Sequence, residues 1–375
     1  MKNSYMKKDV LLISTSSSGI FCFRKGLVDA LIDNGYNVHI FSTDNKFKNE
    51  IEKWDVEFSN INQSGRSVNP LKKIEFYLGI KEKITNINPE IVMTFQATSN
   101  IFGVLAAKKC KVKRIFSMVE GAGDPFVYNN AKWLTIRAIL CFLYRISFRY
   151  VKKVFFLNED DRKEFIKRKI VKDEQSTVIK GIGIDLEKFE YTPIYNNNMF
   201  LMISRMMPAK GVIEFCKAAE IVKKKYPYIK FVYIGEEYTL NKGDIIKYID
   251  EGIIDYLGYQ NDVSKYIKDC FCYVLPSFYR EGLPVTIMEA SAIGRPIITT
   301  NNVGCKDAVI DGATGFIIEK KNIFELCEKM EYLINNIEVT YEMGKNARIF
   351  AQNNFDQKII NKKIIKIIEG KYETI

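Results

Sequence analysis

Short apolar runs alternate with amphipathic stretches along all 375 residues, and this alternation restricts the fold more than any other feature. It is the pattern of an α/β protein with parallel sheets, in which each strand is followed by a helical crossover. In the first half the expected strands are Val10–Ser14, Asn37–Phe41, Ile91–Phe95, Arg114–Val119, Val154–Leu157 and Thr177–Lys180. FRKGLVDALIDNG (23–35) reads as a helix that Gly35 stops. A second series begins at Met199 with FLMIS, continues through the helix GVIEFCKAAEIVKKKYP, and adds FVYIG, CYVLPS, RPIITT and GFIIE. No repeat of 20–50 residues is evident, which argues against a solenoid.

YTPIYNNNM (Tyr191–Met199) is a polar, Pro/Asn-rich stretch suited to a linker. The expected domains are therefore 1–195 and 196–355, with a helix in 356–375 crossing back to the first. Two such α/β domains would leave a cleft at the carboxyl ends of their strands, where open sheets bind ligands. One large continuous sheet is the alternative.

The balance of 56 basic against 45 acidic residues gives +11 and points to an anionic partner: nucleotide phosphates, lipid headgroups or nucleic acid. No interleaved basic–aromatic platform favours nucleic acid. No apolar run approaches the ~18 residues of a spanning helix. The basic lead of MKNSYMKKDVLLIST is followed by too short an apolar core for a signal peptide, so a cytoplasmic location is expected. The eight cysteines form no C-x-x-C pair and read as small hydrophobes. The single histidine, His39, lies in a strand without a nearby metal-ligand cluster. It reads as structural, with a base role as the alternative.

The densest chemical signal is LPSFYREGLPVTIMEASAIGRPIITTNNVGCKDAV (275–309). It puts Glu281 in a loop after a strand, Pro284 at the first position of a helix, Glu289 inside that helix and Gly294 at its stop. Backbone N–H groups near Gly282 and Leu283 would suit a phosphate. Alone, two glutamates eight apart are most often solvated.

The segment resembles the E-x7-E signature of family-4 glycosyltransferases, retaining enzymes of the GT-B fold, and more segments follow that family's order. SRMMPAKG (204–211) resembles its basic diphosphate-binding turn, with Arg205 and Lys210 in place. GIGIDLEKF (181–189) resembles the segment ending the first domain, YLGYQNDV (256–263), which includes Tyr259, the nucleobase-reading segment, and GCKDAVIDGATGFII the closing block. Coverage is strong over 175–320 and weaker in the first domain. The resemblance implies two Rossmann-like domains, the acceptor in the first and the nucleotide-sugar in the second. It further implies that Glu281 holds donor-sugar hydroxyls and Glu289 the ribose. Arg205 and Lys210 suit the charge of a departing diphosphate without metal. No D-x-D motif occurs, so no metal or other cofactor is expected beyond the co-substrate, a UDP-sugar.

In the first half, Gly19 of STSSSGIF would let backbone approach the diphosphate or acceptor. Similar enzymes carry a histidine that contacts the donor sugar, where this chain has MVEGAGDPF (118–126). Glu120 is the candidate substitute, a solvent-facing loop carboxylate the alternative. The V-E-G-x-G pattern resembles transferases that extend sugars on undecaprenyl-diphosphate, including N-acetylgalactosaminyltransferases. AKWLTIRAILCFLYRISFRYVKK (131–153) carries Trp133 and sets Arg137, Arg145 and Arg149 on one face. It suits either an anionic membrane interface or packing on the sheet. The expected activity is transfer of a hexose or N-acetylhexosamine from a UDP-sugar to a lipid-diphosphate-linked saccharide, peripheral to the inner face of the cell membrane. A sugar-nucleotide epimerase, a phosphorylase or a non-catalytic nucleotide-sugar binder are the rivals.

Overall fold

The computed structural model describes residues 8–61, 69–195 and 198–371. The basic lead 1–7, residues 196–197 of the expected linker and Tyr372 of the expected last helix lie outside them. The chain divides into two compact units, residues 1–182 with 357–375, and residues 183–356.

The first unit is a seven-stranded sheet in the order β3-β2-β1-β4-β5-β6-β7. Its strands are β1 (Lys8–Ile13), β2 (Tyr36–Ser42), β3 (Glu57–Asn60), β4 (Ile91–Phe95), β5 (Arg114–Val119), β6 (Lys153–Phe156) and β7 (Ser176–Val178). Every pairing is parallel. Parallel strands carry helices on both faces, which is why β4 is buried at every position. After β1 come α1 (Ser17–Phe23) and α2 (Lys25–Asp33); α3 (Pro70–Ile87) and α4 (Val104–Lys109) flank β4; α5 (Ala131–Phe148) and α6 (Glu159–Lys167) follow β5 and β6. Asn69, Asn130 and Asn158 cap α3, α5 and α6 through side-chain oxygens, each accepting a first-turn N–H. The C-terminal helix Gln357–Glu369 packs on α2, and Arg114 donates to the Ile368 carbonyl near its end at 2.8 Å. His39 lies in β2 between Asp9 Oδ1 at 2.8 Å and Glu57 Oε2 at 3.0 Å, bridging β1 and β3. That is a structural role.

The second unit has six parallel strands in the order β10-β9-β8-β11-β12-β13. They are β8 (Met199–Ile203), β9 (Lys230–Ile234), β10 (Asp255–Tyr256), β11 (Cys272–Leu275), β12 (Ile297–Thr300) and β13 (Gly315–Ile318). Helix α7 (Val212–Lys225) follows β8, and α8 (Val285–Ile293) joins β11 to β12. The unit begins at residue 183, ahead of the expected boundary at 195, because the intervening chain is bonded to it. Ile184 N donates to Phe355 O at 2.6 Å, Arg348 to Phe189 O at 2.9 Å, and Thr192 N to Ile293 O at 3.1 Å. Arg295, fully buried, adds donors to Thr192 O, Ile267 O and Lys268 O. β3 and β10, both edge strands, were not foreseen, since EFSN and DY contain no apolar run.

Each sheet changes direction at its centre, between β1 and β4 and between β8 and β11. Those switch points, at the carboxyl ends of the strands, are where such sheets bind ligands. In the second unit the turn carrying Arg205 and Lys210 and the loop carrying Glu281 follow β8 and β11, the strands at that point.

Candidate active site

In the second unit β8 runs into a turn that ends in a short 3₁₀ segment, Pro208–Lys210. Gly211 then takes φ +80°, and a Cβ there would overlap Pro276 O just beyond β11. This backbone approach brings the Lys210 turn against the 277–283 loop. Lys210 Nζ forms an ion pair with Glu281 Oε1, and the two side chains are only 13% and 11% exposed. Ser277 Oγ donates to the same oxygen at 3.1 Å, and Lys210 Nζ lies 5.4 Å from the centre of the Tyr279 ring. The loop is braced from β12: Glu281 N donates to Val303 O at 3.3 Å and Asn302 Nδ2 to Tyr279 O at 2.5 Å. A shielded pair of this kind keeps its Coulomb attraction better than an exposed one.

Arg205 comes five residues before Lys210, after the end of β8, with its guanidinium 4.9 Å from the centre of the Tyr238 ring. The loop carrying Tyr238 is zipped to the Arg205 turn, with Met206 N donating to Glu236 O at 2.8 Å and Leu240 N to Met206 O at 3.0 Å. Helix α7 starts immediately after Lys210 and Gly211, so its positive end lies behind the ammonium. Tyr259 is exposed beyond β10, and Gly258 takes φ +64° and accepts from Gly235 N at 2.9 Å.

Pro284 is the N-cap of α8 rather than its first residue. Its extended ψ of 119° ends the loop, and its carbonyl receives the N–H groups of Ile287 and Met288. Leu283 is buried and Gly282 half-buried beside it. Gly294 closes the helix at φ +91°. Glu289 lies within α8, half-buried, and its carboxylate makes no hydrogen bond among the described residues. Burial pushes its pKa up to about 7; Lys188 pulls the other way and Asp262 adds to the rise. A shielded carboxylate without a donor can accept a pair of ligand hydroxyls.

In the first unit Glu120 follows β5 directly and forms an ion pair with Arg24, which is 2% exposed. Gly121 and Gly123 give the next turn its left-handed path, with φ +148° and +76°, and Ala122 N donates to Asp161 Oδ2 at 3.2 Å. Gly19 lies in α1, where a Cβ would stand 2.9 Å from Gln96 Nε2. Its small size admits this side chain, whose Oε1 accepts from Thr15 N at 2.9 Å and Thr15 Oγ1 at 2.7 Å. Gln96 itself has φ +67°, uncommon for a residue with a side chain and a marker of imposed geometry.

Helix α5 departs from the expected arginine face. Arg137 turns inward with Cys141, Tyr144 and Phe148, and donates to Asn129 Oδ1 at 2.8 Å. A guanidinium with local acceptors can be buried, and hydropathy alone does not reveal them. Arg145 and Arg149 stay exposed, although Arg145 donates to Arg168 O at 2.8 Å. Trp133 is half-buried and stacked on Tyr128 at 5.7 Å. The outward face carries Leu134, Ile139 and Phe142, all exposed. Among the described residues no helix is long and apolar enough to cross a membrane.

Two α/β units, one on a seven-stranded and one on a six-stranded parallel sheet, with a basic turn after β8 and an E-x7-E segment after β11, define a glycosyltransferase of the GT-B type. The family description "Glycosyl transferases group 1" matches residues 184–350, and "Glycosyl transferase 4-like" matches 9–158. The chain belongs to these family-4 glycosyltransferases. It is 28% identical, over 95% of its length and 97% of the relative's, to the N,N'-diacetylbacillosaminyl-diphospho-undecaprenol alpha-1,3-N-acetylgalactosaminyltransferase of Campylobacter jejuni. It is 25% identical, over 80% of each chain, to the Escherichia coli UDP-Gal:alpha-D-GlcNAc-diphosphoundecaprenol alpha-1,3-galactosyltransferase. The solved structure of Anabaena Alr3699/HepE in complex with UDP matches with a TM-score of 0.78 at 18% identity, covering 97% of this chain and 100% of that one.

Arg24, Gln96 and Tyr238 escaped the sequence reading. Each contacts a partner distant in sequence, and no local spacing encodes such a contact.

Proposed function

We propose that the protein is a retaining, metal-independent transferase that moves a hexose or N-acetylhexosamine from a UDP-sugar to a saccharide linked to a lipid diphosphate. The observation that carries this reading is the shielded Lys210–Glu281 pair joining the turn after β8 to the loop after β11, with Arg205 five residues before Lys210 and Glu289 in the helix that follows the loop. Arg205 and Lys210 meet the charge that develops on the diphosphate as the bond to the sugar breaks. A bound diphosphate draws the Lys210 ammonium toward itself and leaves Glu281 to accept sugar hydroxyls. Glu289 accepts the two ribose hydroxyls, and the exposed Tyr259 segment meets the base. Gly282 and Leu283 border the diphosphate from the loop before α8. Within the first unit, Glu120 offers a carboxylate for a sugar hydroxyl, and Gly19 allows a close backbone approach to substrate.

The relatives' names support the donor and acceptor classes: one is named for UDP-Gal, and both for diphospho-undecaprenol sugars. The exposed Leu134, Ile139 and Phe142 beside Lys132, Arg145 and Arg149 support attachment to the inner face of an anionic membrane.

The test is to incubate the protein with a panel of UDP-sugars and a short lipid-diphosphate saccharide, with and without EDTA. The expected product gains one hexose or N-acetylhexosamine with the donor's anomeric configuration, at a rate unchanged by chelation. Epimerised nucleotide-sugar without acceptor, inverted product, or a tenfold loss in EDTA restored by Mg²⁺ would each refute the corresponding part.

A further inference from the structure

Arg24 joins α1 to α2 and is 2% exposed, an expensive place for a permanent cation. Its guanidinium lies 4.6 Å from the centre of the Phe95 ring, donates to Phe23 O at 3.1 Å, and forms the ion pair with Glu120. Burial pulls its pKa down to about 9, which leaves it charged at neutral pH. Glu120 differs: its side chain is 26% exposed, and Oε2 makes no hydrogen bond among the described residues.

The backbone around Glu120 is held without Arg24. Asn100 Nδ2 donates to Met118 O at 2.8 Å on one side, and Asp161 receives Ala122 N on the other. Arg24 therefore fixes only the side chain. For stability alone, well-packed apolar residues serve as well as a buried pair or better. A cation kept inside so that a half-exposed carboxylate points outward suggests a use for that carboxylate.

We propose that Arg24 is a positioning residue: by holding one oxygen of Glu120, it directs the other oxygen to a sugar hydroxyl. This rests on the reading of Glu120 as part of the transferase site. Arg24 itself touches no substrate, so it acts through Glu120 alone.

The experiment compares kcat, donor KM, UDP affinity and urea unfolding for wild type, Arg24→Met, Arg24→Lys, Glu120→Gln and the Arg24→Met/Glu120→Gln double variant. Arg24→Met is expected to lower kcat at least tenfold, with donor KM and UDP affinity within twofold. Arg24→Lys should recover most of that loss, and the double variant should be no slower than Glu120→Gln. Wild-type kcat in folded Arg24→Met, or rate losses that multiply in the double variant, would overturn the proposal. Should Arg24→Met not fold, Arg24→Lys decides: kcat as low as in Glu120→Gln counts against it, and near wild-type kcat supports it. A wild type that binds UDP but transfers no sugar, or Glu120→Gln with unchanged kcat, would instead sink the reading of the site beneath it.

Discussion

Lys210 and Glu281 stand 71 residues apart in the chain and meet as an ion pair beside the ends of β8 and β11. Glycine makes the meeting possible: Gly211 lets the lysine turn close on Pro276, and Gly304 lets the 302–304 turn lie on the backbone of Glu281 and Gly282. The two groups proposed to meet diphosphate and sugar hold each other as an ion pair. Pairing keeps both charged side chains ordered at low exposure, ready for exchange with a substrate of the matching charges.

Removing either cation should therefore act on the reaction more than on folding. Arg205→Ala and Lys210→Ala are each expected to weaken transition-state stabilisation by about 2–4 kcal/mol, the scale of one lost electrostatic donor. Lys210→Ala also removes the ammonium paired with the shielded Glu281 carboxylate, so urea unfolding should show a loss of about 1–3 kcal/mol that Arg205→Ala lacks. Steady-state rates on folded variants check the first statement. Near wild-type rates would move the diphosphate elsewhere.

Gly211 offers a test of the turn itself. Gly211 and Gly35 have nearly the same φ, +80° and +79°, but a Cβ at Gly35 meets nothing within 4 Å. Alanine at Gly35 should cost only the left-handed penalty, roughly 1–2 kcal/mol. Alanine at Gly211 adds overlap with Pro276 O, so it should cost more in stability and also lower kcat by shifting Lys210. Equal stability losses with unchanged kcat would show that the close approach is dispensable.

The strand cores were legible because burial on both faces writes a continuous apolar run; Ile91–Phe95 and Arg114–Val119 have the expected limits. Edge strands such as Glu57–Asn60 are half solvated and leave no such run. Among the candidate site residues, Glu281, Glu289, Arg205 and Lys210 were legible through the ordered family motifs they resemble, because spacing alone leaves two glutamates eight apart as solvated side chains. Arg24 could not be paired with Glu120, since 96 residues separate them. Arg137 misled for a related reason: its place on a basic helical face said nothing of the acceptors at Tyr128 and Asn129.

The outward face of α5 should bind anionic vesicles in a salt-sensitive way. Arg145 is tied to the Arg168 carbonyl, so Phe142→Asp with Arg149→Glu is the cleaner change. Each basic residue near such a surface contributes about 1 kcal/mol, and reversing Arg149 should more than remove its share. Vesicle sedimentation at low and high salt provides the reading. Identical binding of variant and wild type to anionic and neutral vesicles would remove the membrane from this face.

Glu289 and Glu281 should fail in different ways. The ribose does not change during transfer, so loss of Glu289 should weaken UDP and raise donor KM, whereas Glu281→Gln should lower kcat and leave UDP affinity nearly intact. Titration of UDP into folded Glu289→Ala and Glu281→Gln decides this, and the opposite pattern would reverse the assignment. Glu289 also carries a pH signature. Its pKa in the folded protein is raised by burial to about 7 from an ordinary 4.5, so the folded state holds the proton more tightly than the unfolded one. Stability then falls as pH rises through that window, by about 1–3 kcal/mol after allowance for partial solvation. Glu289→Gln, which cannot ionise, should be more stable than wild type at pH 8 and close to it at pH 4. Because the ionised carboxylate is the better acceptor for two hydroxyls, wild-type UDP binding should strengthen as pH rises through about 7. UDP phosphates titrate as well, so the comparison is with Glu289→Gln, in which that added gain should be missing. A wild type and a Glu289→Gln protein with parallel pH profiles in both stability and UDP affinity would mean that Glu289 does not titrate in this range and does not hold the ribose.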